Sequence, residues 1–94
     1  MIFQLNANIL QLQSGSYRLI RPNNKAFSCV TLENTNDHIM INIGSYKYYF
    51  NKNGIFDMMI RGQNRCNHCV EMFYEILELA IEQFNTWTWR KTHL

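Results

Sequence analysis

The sequence predicts an α+β domain: an antiparallel meander of four to five strands over residues 1–62, one long C-terminal helix over residues 64–89 packed on the sheet, and a tail over 90–94. Three observations carry this expectation. Turn-forming clusters recur about every ten to fifteen residues through the first two thirds of the chain. The segments between them are rich in Ile, Val, Phe, Tyr and Thr, the residue types that fit a pleated surface. From Cys66 onward the apolar spacing changes to the helical period. All 94 residues are expected to form one domain, because chains split into several only above roughly 250 residues. With 47% hydrophobic and 17% charged residues and 1 Pro, the chain is neither a disordered tail, a collagen-like repeat nor a coiled coil.

The strands are expected at residues 2–12, 16–21, 26–33, 38–50 and 55–60, separated by Ser14-Gly15-Ser16, Pro22-Asn23-Asn24, Asn34-Thr35-Asn36-Asp37 and Asn51-Lys52-Asn53-Gly54. The first segment shows a slip in its alternation: Phe3, Leu5, Ala7 and Ile9 give way to Leu10 and Leu12. In the fourth, Ile39, Ile41 and Ile43 share one face, yet after Gly44 the apolar parity moves to Tyr46, Tyr48 and Phe50. A bulge or sharp bend at Gly44-Ser45 accounts for that change. Asn51-Lys52-Asn53-Gly54 is the strongest hairpin signal, since Asn and Gly accept positive φ.

Placed at about 100° per residue, Val70, Phe73, Ile76, Leu77, Ala80, Ile81 and Phe84 fall in one arc of the C-terminal helix, with Cys66 and Cys69 on or beside it. Asn64 or Asn67 is placed to cap its start. Glu71, Glu75, Glu78 and Glu82 form an acidic stripe on the opposite side. Met72 and Leu79 widen the apolar sector beyond what covering one sheet requires. A helix running to residue 89 also outreaches a strand of ordinary length, so Trp87 and Trp89 are expected to overhang the sheet or dock on another surface.

The formal net charge is only +2, yet it is unevenly distributed. Residues 1–65 carry seven basic side chains against three acidic ones, and residues 66–94 carry four acidic ones against Arg90 and Lys91. Met1 to Gln13 lacks the basic start and unbroken apolar run of a secretory signal, there is no membrane-spanning run, and three cysteines are an odd number. A cytoplasmic protein with free thiols is expected, in the host cell if it is phage-encoded. The abundance of Asn, Ile, Lys and Tyr is typical of AT-rich genomes, including those of phages and mobile elements.

Signatures of catalysis are lacking. Cys66-Asn67-His68-Cys69 offers vicinal thiols for redox chemistry or, with Cys29 and His38, half a zinc site. No second closely spaced pair accompanies it, and both thiols lie by the core arc, so they are read as core packing with no metal ligated. Asp37-His38 is read as a solvated turn, no Gly-rich phosphate loop is present, and no metal or organic cofactor is expected.

Two functions remain. In the first, the chain is a small non-catalytic interaction module, expected to be homodimeric, that binds and blocks a larger host protein concerned with nucleic-acid handling or defence, as phage-encoded inhibitors such as anti-CRISPR proteins do. Glu71, Glu75, Glu78 and Glu82 would imitate a run of phosphates, Trp87 and Trp89 would anchor the partner, and Met72 and Leu79 would form the dimer contact. In the alternative, a basic aromatic sheet face with Arg18, Arg21, Lys47, Tyr49 and Lys52 binds single-stranded DNA or RNA. The first ranks higher because few cations share a face with an exposed aromatic.

Overall fold

The computed structural model describes residues 3–23, 25–62 and 69–92, giving the backbone course alone for 69–72. Within it, six strands form one antiparallel sheet: β1 (Gly15–Ile20), β2 (Phe27–Asn34), β3 (Ile39–Ile43), β4 (Tyr46–Phe50), β5 (Phe56–Arg61) and β6 (Thr88–Lys91). Their spatial order is β5-β4-β3-β2-β1-β6. A one-turn helix, α1 (Ala7–Leu10), precedes the sheet, and α2 (Cys69–Thr86) crosses one of its faces.

The core is a two-layer sandwich of sheet and helix. Tyr17, Leu19, Val30, Leu32, Ile39, Ile41, Tyr48 and Phe50 point to one side of the sheet and are buried there with Leu77, Ala80, Ile81 and Phe84 of α2. The register places Leu32, Ile41, Tyr48 and Met59 in one row across four strands. Phe84 closes the centre, with its ring 5.5 Å from that of Tyr48 and 6.5 Å from that of Phe50. Each such side chain, fully buried, contributes about 1.5–3 kcal/mol. Because the periodicity of α2 selects its buried arc, the glutamates at 75, 78 and 82 are left on the outside.

Four local features bear on the sequence expectation, three of them by differing from it. First, the expected strand over 2–12 does not form in its described part, residues 3–12. Gln4 makes a single bridge to Ile55, after which the chain winds into α1. Leu5 and Ile9 are four apart and both buried, so the slip in alternation marks a change of period and not a bent strand. Asn6 and Asn85 fasten this segment to the end of α2: the Asn85 side-chain oxygen accepts from the Asn6 N–H at 2.8 Å, and the Asn85 amide donates to the Gln4 carbonyl at 2.9 Å.

Second, Gly44-Ser45 is a two-residue hairpin turn and not a bulge within one strand. Ile43 faces Tyr46 across the turn, and Gly44 has φ 58°. In a two-residue hairpin the flanking residues share a face, which puts Ile39, Ile41 and Ile43 beside Tyr46, Tyr48 and Phe50. The irregularity in the sheet lies instead between β4 and β5, where Phe50 pairs with Phe56 and Tyr49 with Met58, leaving Asp57 as the extra residue.

Third, the Asn51–Gly54 hairpin forms as expected, with a further constraint. The Asn51 side-chain oxygen accepts from the N–H groups of Asn53 and Ile55, and Gly54 sits at φ 83° beneath the N-terminal segment. A Cβ at Gly54 would lie 2.9 Å from the Leu10 side chain and 3.1 Å from the Leu5 carbonyl oxygen, so no other residue fits without displacing backbone.

Fourth, the helix ends at Thr86, and residues 88–91 return as β6 along β1. The expected helix to residue 89 and loose tail over 90–94 are thereby corrected. Thr86-Trp87-Thr88-Trp89 alternates β-branched and aromatic residues, a strand pattern that does not favour continuing a helix. The Trp89 indole N–H donates to the Phe84 carbonyl at 2.8 Å, satisfying one of the acceptors a helix end leaves open. Asn64, Cys66, Asn67 and His68, and with them the expected helix cap, lie outside the described residues, as do the side chains of Cys69, Glu71 and Met72.

Candidate functional site

The two layers present two chemically opposite surfaces. On the outer side of α2, Glu75, Glu78 and Glu82 are exposed, flanked by Tyr74 and Leu79, each 66% exposed. The helix sequence contains no Lys or Arg. Among the described residues the one ion pair joins His38 to Glu33, so none of these three glutamates is paired with a described cation.

Trp87 and Trp89, expected to anchor a partner beside the acidic stripe, are instead partly buried against the protein's own core. The Trp89 ring lies 5.5 Å from that of Tyr17 and 6.1 Å from that of Phe84. Both expected anchors are thus turned inward, whereas Leu79, one of the two residues expected at a dimer contact, points outward. The role of anchor on the helix surface falls to Tyr74 and Leu79. Tyr74 was missed because aromatic residues within an amphipathic helix are ordinarily counted as core, although its position next to the glutamate stripe was legible from the helical period.

The opposite surface is the uncovered face of the sheet. Pairing of Arg18 with Arg90 puts both on this face, and the row Ser16, Thr31, Asn42, Lys47, Ile60 crosses it from β1 to β5. Phe27, Met58 and Ile60 are 50%, 45% and 43% exposed here. Arg18 lies over the Phe27 ring at 4.8 Å, a cation–π contact.

The expected cationic residues do not converge. Arg18 and Lys47 share the open face but stand three strands apart, about 14 Å at the usual interstrand spacing. Lys52 is committed to the fold: its ammonium donates to the Asn34 side-chain oxygen at 2.5 Å and to the Thr35 carbonyl at 2.7 Å. Arg21 is exposed after the end of β1, where its N–H donates to the Ala26 carbonyl at 3.0 Å. Tyr49 is half-buried, with its ring 5.7 Å from His38 and its strand neighbours Met40 and Met58 on either side. Sequence reasoning missed Arg90, which β6 brings opposite Arg18 on the open face, while Lys91 pairs with Tyr17 and turns to the other side beside Gly15; the alternation of residues 86–89 was the signal for a strand there.

Neither cysteine nor histidine chemistry is assembled among the described residues. Cys29 is an exposed free thiol paired in register with Arg18. His38 stands at the other end of β2, roughly 17 Å away by strand rise, so the two do not share a site. His38 closes the β2–β3 loop instead: its N–H and that of Asp37 donate to the Thr35 hydroxyl, and its ring lies 3.7 Å from Glu33. Among the described residues no group of three or more His, Cys, Asp or Glu side chains is placed to hold a metal ion. No described helix is long and apolar enough to cross a membrane.

In comparison with known proteins, no family model, no curated protein and no solved structure matches the chain. Function is therefore argued from the two surfaces alone.

Proposed function

We propose that the protein is a non-catalytic interaction module that docks the outer face of α2 into a basic groove on a larger protein, in competition with nucleic acid. The observation that carries this reading is the face itself: Glu75, Glu78 and Glu82 stand exposed and unpaired with any described cation, beside the two most exposed large apolar side chains of the described fold, Tyr74 and Leu79. From Glu75 to Glu82 the row spans about 10 Å of helix, a fixed line of negative charge on a rigid element. A basic partner lends charge complementarity, which speeds encounter and fixes register, while Tyr74 and Leu79 supply the apolar contact area that affinity depends on. The class of partner is a nucleic-acid-handling or defence protein of the host, and blocking it is the action of an inhibitor.

The test is capture of a partner from the native host or from phage-infected cells, followed by competition. The wild-type chain should displace nucleic acid from the captured protein, and Glu75→Lys, Glu78→Lys should weaken that displacement by at least about tenfold while leaving the fold intact, because both side chains are exposed. A partner retained equally by the double variant would overturn the reading.

A further inference from the structure

On the outer face of α2, the geometry points to the group a partner must present: Tyr74 and Glu78 form a seat for one arginine side chain, its guanidinium lying on the Tyr74 ring and its fork turned to the Glu78 carboxylate. This inference rests on the reading of that face given above and names the chemistry that makes the partner basic there.

The seat begins with a chain of aromatic rings that leads from the core to the surface. Fully buried Phe50 meets Phe56 at 5.9 Å, and Phe56 meets Phe73 at 6.2 Å and Phe3 at 6.5 Å. Phe3 in turn stacks on Tyr74, with ring centroids 6.4 Å apart and planes 21° from parallel, while Phe73 meets Tyr74 edge-on at 5.2 Å. Phe3 is itself fixed at the margin of the sheet: its carbonyl accepts from the Phe56 N–H at 2.9 Å, and the Leu5 N–H donates to the Gly54 carbonyl at 2.8 Å. Tyr74 is thus braced by two rings, yet it is 66% exposed. A side chain already held in place loses less entropy when a partner group settles on it.

Glu78 follows one turn later. Residues four apart on a helix have Cβ atoms about 5–6 Å apart, and each Cα–Cβ bond tilts toward the helix N-terminus, so Glu78 leans toward the ring of Tyr74. Four residues further on stands Glu82, and the sequence of α2 contains no Lys or Arg, so no cation on the same helix competes for this carboxylate.

A ring beside a carboxylate suits a guanidinium better than an ammonium. The guanidinium is planar and weakly hydrated, so it stacks on an aromatic face while its fork of N–H groups pairs with a carboxylate; an ammonium is a compact and strongly hydrated point charge. Arginine is already seated on rings within this fold, with Arg18 over Phe27 at 4.8 Å and Arg61 over Tyr46 at 5.7 Å. Solvation of the helix surface accounts for Glu78 alone but not for an aromatic side chain braced next to it and left open to water. Covering Phe3 would need only an apolar side chain at position 74, which a leucine variant supplies.

Titration of the full chain with three glycine-spaced peptides of equal length, one carrying arginines, one lysines and one leucines, followed by amide NMR shifts, tests it. The arginine peptide should shift the amides of Tyr74 and Glu78 saturably and bind about three- to fivefold more tightly than the lysine peptide. That ratio should persist at physiological salt, which screens the charge attraction common to both. Tyr74→Phe should keep the ratio and Tyr74→Leu should bring it to about one; the position is exposed, so both variants should keep a dispersed spectrum. Glu78→Gln, also at an exposed position, should narrow the ratio and is the second variant should Tyr74→Leu not fold. Equal affinity of the wild type for the two cationic peptides would leave charge as the sole attraction, overturning the seat while the reading of the helix face stands. A ratio unchanged in Tyr74→Leu would put the preference elsewhere on the molecule, and a leucine peptide bound as tightly as the arginine one would make the site apolar; either result removes the seat. If neither cationic peptide shifts Tyr74 or Glu78, the seat and the basic-partner reading fall together.

Discussion

Tyr48 shows how one side chain couples the core to solution conditions. Its phenol is enclosed between sheet and helix, 2% exposed, and burial together with the neighbouring Tyr46 pushes its pKa from 10.0 up to about 12. The ionised form is disfavoured in the folded protein and unhindered in the unfolded one. Above about pH 10 the unfolded chain therefore binds fewer protons than the native one, and stability falls as pH rises from there through 12. The loss amounts to about 2–3 kcal/mol once both states are ionised. Urea midpoints should be flat for this group below about pH 9 and decline above pH 10. Tyr48→Phe should remove much of that decline, and an unchanged alkaline slope in the variant would show that Tyr48 is not its source.

At the scale of the element, the return of the chain after α2 decides which surface the last residues serve. Trp89 closes the helix end through its indole N–H and fills the gap between Tyr17 and Phe84. Trp89→Phe keeps most of the packing but leaves the Phe84 carbonyl without that donor. A cost of about 1 kcal/mol is expected, or a fall in Tm of about 4–8 °C for a domain of this size. A Tm within the error of wild type would mean that another donor takes over. The amphipathic arc of α2 and the strands β1, β2 and β5 were legible because burial on one side imprints a period on the sequence. The N-terminal turn was not, because it is too short to complete a period and is held by contacts distant in sequence such as Asn6 with Asn85; β6 left only the short alternation of residues 86–89, and its place beside β1, with Leu19 opposite Trp89, is set by a contact equally distant in sequence. The Gly44 parity change was visible but ambiguous, since a bulge and a two-residue turn shift parity alike. Of the site residues, the glutamate row could be placed from the helical period alone. The juxtaposition of Arg18 and Arg90 on the open face could not, because it depends on a pairing of strands more than sixty residues apart.

Across the whole molecule, charge is sorted by layer and not by position along the chain. The acidic second part of the sequence divides in space: α2 holds four glutamates and no basic residue, while Arg90 and Lys91 join the sheet. This arrangement bears on self-association. Pairing two copies through α2 about a twofold axis would set Glu75, Glu78 and Glu82 against their own counterparts, and like charges face to face oppose the gain from burying Leu79. A basic partner meets no such penalty. The isolated chain is therefore expected to scatter light as a monomer at physiological salt, and Leu79→Asp, at a 66% exposed position, should alter its stability by no more than about 0.5 kcal/mol while weakening partner binding. A dimer that dissociates on Leu79→Asp would instead make the outer face of α2 a self-interface and displace the basic partner from it.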